Sequence, residues 1–315
     1  MKSANPTRMA VDRRRFLRLL GVAGAGAALA ACGSAEPAAV AGSSEASTAA
    51  DPGGAAISRV APDAEPNLAV VAATFEQLRD QPNPFVFGLF TLDQDPVEDA
   101  SAQVWAVPAD GGEPVGPWPA TPSEADVPPG GLYTVDAELP ATGVHEVVVV
   151  TDDGRAGAVA VDVREAESSQ LPAPGEQAMA VATPTEAEPL GYERLCTRAK
   201  PCGMHEVSLD DALVQARPIA LLFATPAFCQ TAVCGPTVDV IDGIRSDYPD
   251  ATFIHCEVFA DAGETIGDPV NAWELPTEPW LFVIDADGRI VRRADGPLLV
   301  VPDAVRSLLD SGLSA

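Results

Sequence analysis

The feature that most constrains the fold is a cysteine pair that follows a long apolar run. Residues 218–224 carry no charge, and Cys229 and Cys234 come shortly afterwards. An uncharged run of that length is typical of a strand that is buried on both faces. Further along the chain, Pro279 precedes a second apolar run at residues 281–284. The sequence therefore predicts two buried strands, the first leading to the cysteine pair and the second preceded by the proline.

The other segments of residues 196–315 alternate between helical and strand patterns. The patterns predict a helix over 208–216, a strand over 218–224, a helix after Cys234, a strand over 251–258, a hairpin of strands over 280–285 and 289–293, and a helix from about Pro302 to Leu309. This order, together with the cysteine pair and Pro279, resembles the thioredoxin fold. The resemblance implies that Pro279 follows a cis peptide bond, lies beside the cysteines and pairs with the backbone of a substrate.

The spacing of the cysteines governs how the pair can act. A five-residue step rotates by about 140° around a regular helix, so both cysteines cannot lie on one helical face. Pro236 fits a first helical turn, which predicts Cys229 in the loop and Cys234 at the helix start. The positive end of the helix favours a thiolate there. By the resemblance, Cys229 attacks a substrate disulfide, Cys234 resolves the mixed disulfide, and Pro279 completes the predicted catalytic residues.

One position departs from thioredoxins. Where thioredoxins carry a buried acid near the cysteines, this chain has Leu222, so proton transfer to and from Cys234 needs another group or water. A static disulfide that pins the loop is therefore one alternative to catalysis. The corresponding function is that of a non-catalytic binding protein that retains the fold.

Residues 225–234 also resemble the site of Q-type peroxiredoxins, which share the four-residue gap between the cysteines. In that family, a threonine three residues before the peroxidatic cysteine helps to bind peroxide. Here Thr225 stands four residues before Cys229. The resemblance implies a peroxidase as a second alternative.

The N-terminus indicates export. Residues 12–18 resemble a twin-arginine signal. The apolar stretch that follows, residues 19–31, is shorter than the roughly 20 residues that a membrane-spanning helix needs. The stretch ends in Leu-Ala-Ala-Cys32, which resembles a bacterial lipobox. The resemblance implies that residues 1–31 are a removed signal peptide, that Cys32 is lipidated, and that the protein is lipid-anchored on the extracytoplasmic face of the cell membrane. An uncleaved helical anchor would place the chain on the same side.

A second group of sulfur and imidazole side chains lies upstream of the pair. Cys196, Cys202, Met204 and His205 fall within ten residues, and all are soft ligands suited to copper. In an oxidising compartment we expect instead a short-loop disulfide between Cys196 and Cys202, with no metal and no cofactor. Sco-like copper-insertion proteins are anchored thioredoxin folds with a cysteine pair and a distant histidine, a role open here to His205 or His255. A copper carrier is thus a third alternative.

The chain is strongly acidic, with a formal net charge of −27 at pH 7. Such a charge repels nucleic acids and anionic lipid headgroups. It excludes nucleic acid as a partner and leaves the lipid anchor as the expected route of membrane association.

Composition divides the rest of the chain. Residues 32–66 are rich in Ala, Gly, Ser, Pro and Glu, which predicts a flexible tether. Residues 67–164 contain six short strand-like runs separated by turns, which predicts an antiparallel β-sandwich. Residues 139–145 resemble a corner of immunoglobulin-like domains, with His145 where tyrosine is usual. Residues 165–195 predict a linker, or an extended segment laid on the next domain.

Together these features predict a multi-domain lipoprotein in which an all-β immunoglobulin-like sandwich precedes an α/β thioredoxin-like domain. The predicted function is thiol–disulfide exchange. Its expected partners are exported thiol or disulfide proteins and a separate redox protein.

Overall fold

The computed structural model of the protein describes residues 53–98, 100–123 and 131–313. The predicted signal peptide, Cys32 and the first part of the predicted tether lie outside these residues. The described part is mainly β-structure, with thirteen strands and few helices. It belongs to one compact unit. None of the helices in the described part combines the length and apolar character that a membrane span needs.

Two β-sheets form the N-terminal half. Their strands are β1 (Glu65–Pro66), β2 (Leu68–Ala72), β3 (Gln77–Leu78), β4 (Pro82–Thr91), β5 (Ala102–Pro108), β6 (Val115–Ala120), β7 (Leu132–Glu138), β8 (Gly143–Thr151) and β9 (Arg155–Arg164). One sheet has the order β1-β9-β8-β5-β6, with β3 also paired to β9, and the other has the order β2-β4-β7. The sheets share one apolar core, in which the rings of Phe87 and Tyr133 stack at a centroid distance of 5.3 Å. This half is therefore a β-sandwich.

All six predicted strands occur in the sandwich, within β2, β4, β5, β7, β8 and β9. The sequence pattern does not indicate β6, because Pro117 and Pro119 interrupt it. Proline cannot donate a backbone hydrogen bond, so it is tolerated mainly at a sheet edge. The edge position of β6 in its sheet explains why these residues still form a strand.

The tether prediction is wrong for residues 53–66. Helix α1 (Gly54–Val60) buries Ala56 and Ile57 against the larger sheet, and β1 pairs in parallel with β9. The composition of this segment is poor in large apolar residues. The side chains of Ala56 and Ile57 are nevertheless enough to hold so short a helix, because they pack on an apolar surface that the sheet already provides.

Residues 165–195 lie against the C-terminal half instead of forming a free linker. Leu171 and Ala173 are buried, and the carbonyl of Leu171 accepts a hydrogen bond from Arg293 Nη1 at 3.2 Å. Tyr192 packs into the same apolar cluster as Leu171. Of the two predicted alternatives, the structure has the extended segment.

A four-stranded mixed sheet organises the C-terminal half. Its elements are α2 (Leu209–Leu213), β10 (Ile219–Phe223), α3 (Cys234–Ile244), β11 (Thr252–Cys256), α4 (Asp268–Ala272), β12 (Trp280–Ile284), β13 (Ile290–Asp295) and α5 (Pro302–Leu313). The strand order is β11-β10-β12-β13. β10 is parallel to β11 and antiparallel to β12, and β12 is antiparallel to β13.

The central strands β10 and β12 are buried along their whole length. Helices α3 and α5 pack on one face of the sheet, and α2, Trp273 and Tyr192 pack on the other. The first helix is shorter than predicted: it ends at Leu213, and Ala216 has a positive φ of 51°, which a helix does not allow. Helix α4 escapes prediction because a helix of five residues is too short to show a periodic pattern.

Contacts near the start of β12 join the two halves. Glu76 and Arg293 form a buried ion pair at 2.6 Å. The N–H of Phe75 donates to Asp295 Oδ2 at 3.1 Å, and the rings of Phe75 and Trp280 meet edge to face at 5.9 Å. Burial raises the pKa of Asp295 to about 7. The sandwich thus packs directly against the strand that carries the predicted proline loop.

Candidate functional site

The predicted cysteine pair forms a disulfide at the start of α3. Cys229 lies in the loop after β10, where its N–H donates to the carbonyl of Thr225 at 3.1 Å, and Cys234 is the first residue of α3. The two Cα atoms are 6.2 Å apart, within the usual span of a disulfide. The prediction that Cys229 precedes the helix and Cys234 begins it is confirmed.

The two sulfur-bearing residues differ in exposure. Cys234 is completely buried, whereas Cys229 is half-buried in a loop in which Ala227, Phe228 and Gln230 are exposed. A reactant from solvent can therefore approach Cys229 and not Cys234. The positive end of the eleven-residue helix α3 lies at the pair and favours a thiolate after reduction.

A carboxylate in the segment before β12 lies beside the disulfide, and a proline follows it in sequence. The Glu278–Pro279 peptide bond is cis, as the resemblance to the thioredoxin fold implies. The pairing of β10 with β12 aligns Phe223 with Trp280, so the residues before β12 lie beside those after β10. Glu278 Oε2 accepts a hydrogen bond from the N–H of Thr225 at 2.7 Å.

Glu278 is a residue of this site that the sequence pattern does not indicate. A carboxylate oxygen of Glu278 lies within 4.8 Å of the sulfurs of both Cys229 and Cys234. Burial raises the pKa of Glu278 to about 7, against the opposing effect of the hydrogen bond from Thr225. Such a group can take up or release a proton beside the sulfurs. It can therefore serve in place of the buried acid of thioredoxins, whose position is occupied here by Leu222. The sequence indicates Glu278 only by its position directly before Pro279. That position identifies a site residue only once the pairing of β12 with β10 is known.

The predicted disulfide between Cys196 and Cys202 is wrong. Both residues are free, buried thiols. Cys202 Sγ lies 3.2 Å from Nε2 of His205 and 3.3 Å from Nδ1 of His255, while Cys196 Sγ accepts a hydrogen bond from the N–H of Cys202 at 3.5 Å. Two imidazoles therefore contact the sulfur that the disulfide would require.

This second cluster brings together residues that are distant in sequence. Cys196, Cys202 and His205 belong to one loop, whereas His255 comes from β11. All four side chains are buried, and their ligand atoms lie within 4.8 Å of one another. His255 Nε2–H donates to the carbonyl of Ala224 at 2.9 Å, which orients the ring. The sequence indicates a group of cysteine and histidine side chains at residues 196–205. It does not show that His255 of β11 joins them.

The electrostatics of the cluster favour one thiolate among the four groups. The hydrogen bond with Cys202 lowers the pKa of Cys196, and the same contact, together with burial, raises the pKa of Cys202. Burial opposes a charge on His255, yet the contact with Cys196 and the charge of Glu257 raise the pKa of its imidazole.

The loop that carries Cys229 contacts the segment that carries Cys196. The N–H of Ala227 donates to Oγ1 of Thr197 at 3.0 Å. Thr197 directly follows Cys196, and Ala227 lies two residues before Cys229. The ordering of one site therefore contributes to the ordering of the other.

Comparisons with known proteins leave the family open. No protein-family model matches the chain, and no curated protein matches it. Solved structures with similar parts include the Lin-41 filamin domain (16% identity, 31% of this chain and 93% of that chain, TM-score 0.23) and the ZirS C-terminal domain (10% identity, 51% and 97%, TM-score 0.20). A polysaccharide lyase matches at 14% identity over 31% of this chain and 12% of its own, with a TM-score of 0.19. At TM-scores this low, the similarities support no conclusion about function.

Proposed function

We propose that the protein is a thiol–disulfide oxidoreductase with a thioredoxin-like C-terminal half and an immunoglobulin-like sandwich. In this proposal it is a lipoprotein exported by a twin-arginine signal, and it acts on exported proteins at the extracytoplasmic face of the membrane. The observation that carries the proposal is the disulfide at the start of α3. Its half-buried Cys229 is bonded to the buried Cys234, with a carboxyl group of near-neutral pKa beside both sulfurs.

Exchange begins with the reduced pair. The thiolate of Cys229 attacks one sulfur of a substrate disulfide, and the other substrate sulfur leaves as a thiolate that takes up a proton. Cys234 then loses its proton and attacks Cys229 Sγ, which releases the second substrate thiol and closes the protein disulfide. The substrate gains two electrons and the cysteine pair loses two. The reverse sequence oxidises a substrate dithiol.

Glu278 is the proposed acid and base for Cys234. The buried thiol must lose a proton when it attacks and regain one when the disulfide is reopened. Solvent does not reach Cys234, whereas a carboxylate oxygen of Glu278 lies within 4.8 Å of its sulfur. Because the pKa of Glu278 is about 7, both of its protonation states are populated near neutral pH.

An apolar surface beside Cys229 suits an unfolded or extended polypeptide. Phe228 is exposed, and its ring meets that of Phe259 edge to face at 6.4 Å. The segment that precedes β12, ending at Pro279, borders the same loop. A substrate chain laid between these elements would present its disulfide to Cys229.

The geometry gives the alternatives less support. A peroxidase of the Q type needs the threonine hydroxyl for peroxide, but Thr225 is fully buried and its Oγ1 accepts the N–H of Val258 at 2.7 Å. A Sco-like copper carrier needs a histidine beside the cysteine pair. His255 instead contacts Cys202 and the carbonyl of Ala224.

A glutathione redox titration, read by differential alkylation and peptide mass spectrometry, tests the proposal. We expect Cys229 and Cys234 to open and close reversibly between about −120 and −270 mV, the range of disulfide oxidoreductases. A pair that stays closed below about −300 mV behaves as a structural disulfide and would overturn the proposal. A non-catalytic binding protein would then be the better reading.

A further inference from the structure

We propose that Cys196, Cys202, His205 and His255 form a buried tetrahedral zinc site with two sulfur and two nitrogen ligands. The site is separate from the disulfide at the start of α3. It stands whether or not that disulfide is catalytic.

The four ligand atoms already have nearly the spacing that the ion requires. With Zn–S bonds of about 2.3 Å and Zn–N bonds of about 2.0–2.1 Å, adjacent sulfur and nitrogen ligands of a tetrahedral ion are about 3.5 Å apart. Cys202 Sγ is 3.2 Å from His205 Nε2 and 3.3 Å from His255 Nδ1. No two of the four ligand atoms are more than 4.8 Å apart. Binding therefore needs only small side-chain adjustments.

Hydrogen bonds alone satisfy this cluster poorly. The carbonyl of Ala224 can only accept, so His255 Nε2 carries the hydrogen and the lone pair of Nδ1 faces Cys202 in the neutral ring. The single S–H of Cys202 can donate to one imidazole and not to both. A cation bound by both sulfurs and one nitrogen of each ring uses all four groups together.

The second contact of His255 is the one that metal-bound histidines usually make. A ligating imidazole commonly donates its other N–H to a backbone carbonyl, which fixes the tautomer and the ring plane. The bond from His255 Nε2 to the carbonyl of Ala224 has this form. The N–H of His255 also donates to the carbonyl of Met204 at 2.9 Å, which attaches the loop carrying His205 to β11. The ligands are thus positioned before any ion arrives.

The donor set selects the ion. Thiolate and imidazole suit zinc, whereas Mg²⁺ and Ca²⁺ take oxygen ligands. The carboxylate of Glu257, two residues after His255, is already occupied by the N–H of Thr197 at 2.5 Å and its hydroxyl at 3.2 Å. Two cysteines and two histidines form a closed tetrahedral set, which is typical of structural zinc. The proposed role is therefore to cross-link the 196–205 loop to β11.

Zinc titration of the purified full chain tests the site. The background carries Cys229→Ser and Cys234→Ser, so the other sulfur pair cannot bind the ion. We expect this background to take one Zn²⁺ per chain from a chromophoric chelator under reducing conditions. Cys202→Ser and His205→Ala should weaken binding at least tenfold. Cys256→Ser and His145→Ala are the matched controls, because both residues are buried outside the cluster, and they should bind as the background does.

Two further measurements keep the test independent of how the variants fold. Co²⁺ bound to the background should give thiolate charge-transfer and tetrahedral d–d absorption. Zn²⁺ should protect Cys196 and Cys202 from alkylation far more than it protects Cys256, which zinc can shield only by stabilising the fold. Failure of the background to bind Zn²⁺, equal losses in the control variants, or binding of Cu⁺ with no binding of Zn²⁺ would each overturn the assignment.

Discussion

The two cysteine sites use the same side chain in opposite surroundings. Cys229 is half-buried in an exposed loop and is bonded to Cys234 at the positive end of α3. Cys196 and Cys202 are both buried and free, and Cys202 is in contact with two imidazoles. Solvent access and a helix end favour exchange chemistry, whereas enclosure by nitrogen donors favours a bound metal.

The contrast shows that spacing along the chain is a weak guide to what a cysteine pair does. The shorter gap, between Cys229 and Cys234, and the slightly longer gap, between Cys196 and Cys202, both allow a disulfide in sequence terms. The deciding partners are Glu278, just before β12, for one pair and His255, in β11, for the other. Both are distant in sequence from the cysteines, and β11 and β12 are the two neighbours of β10 in the sheet.

The largest expected difference between the sites is in exchange activity. Cys229→Ser should abolish reduction of a disulfide-linked fluorescent peptide, because the other thiols among the described residues are buried and cannot replace the nucleophile. Cys234→Ser should retain the first step and accumulate a mixed disulfide at Cys229, visible by mass spectrometry. Cys202→Ser should keep most of the activity.

The control for that comparison is Cys256→Ser. Cys256 is fully buried, and burial raises the pKa of its thiol to about 12, so it is a poor nucleophile. Equal loss of activity in Cys229→Ser and Cys202→Ser would break the distinction between the two sites.

The next largest effect is on stability. Zinc held hundredfold above its dissociation constant should raise the free energy of unfolding by about 2.7 kcal/mol, since the ion binds the folded state. Chelation should remove this increment while the Cys229–Cys234 disulfide stays intact. Urea unfolding with zinc and with chelator measures it. A Cys202→Ser variant that gains as much from zinc as the unmodified chain would contradict the prediction.

A smaller stability effect concerns the carboxyl group of Asp295, in the part of the sheet that adjoins the disulfide. Asp295 lies opposite Trp280 across β12 and β13, next to the proline loop. Burial raises its pKa from 3.8 to about 7, so the folded state holds a proton that the unfolded chain releases. Its contribution to stability is complete below about pH 4 and is lost as pH rises through about 7. Asp295→Asn should remove this dependence and add about 2 kcal/mol at pH 8, about half of what the whole shift implies, because Asp295 is only partly buried and solvent screens its charge.

Urea unfolding at pH 5 and pH 8 checks this prediction. Asn can still accept the hydrogen bond from the N–H of Phe75, so the contact with the sandwich is kept. Asp287→Asn, at an exposed turn, is the matched control. If Asp295→Asn lost as much stability between the two pH values as the unmodified chain, the carboxyl group would not be the cause.

Local pattern was enough to predict most elements of the fold. The apolar runs of β10 and β12 and the six sandwich strands are visible in sequence because burial imposes a regular pattern on them. The secondary structure of residues 53–66 and of β6 could not be predicted. These segments are ordered by packing on, or pairing with, a sheet that other segments form.

The sites divide in the same way. Cys229, Cys234 and Pro279 were singled out by the resemblance to the thioredoxin fold, whereas Glu278 depends on which residues the pairing of β12 with β10 brings together. The wrong disulfide between Cys196 and Cys202 has the same origin. Cysteine spacing contains no information about His255, which reaches Cys202 only through the pairing of β11 with β10.

The smallest predicted effect is the sharpest test of the disulfide site. Glu278→Gln keeps the acceptor for the N–H of Thr225 and removes the proton-transfer group. The rate at which Cys234 resolves the mixed disulfide should fall about tenfold at pH 7.5, less than the usual effect of losing a general acid or base, because water can carry some protons to the loop. The inflection near pH 7 in its pH–rate profile should disappear.

Stability distinguishes this role from a structural one. The raised pKa of Glu278 means that its ionisation costs stability as pH rises from about 4.5 through about 7, so Gln should stabilise the fold at pH 8 while it slows resolution. A purely structural residue would show slower exchange together with a loss of stability. If Glu278→Gln kept both the rate and the inflection, the proton for Cys234 would come from elsewhere, and the difference between the two cysteine sites would rest on solvent access and the end of α3 alone.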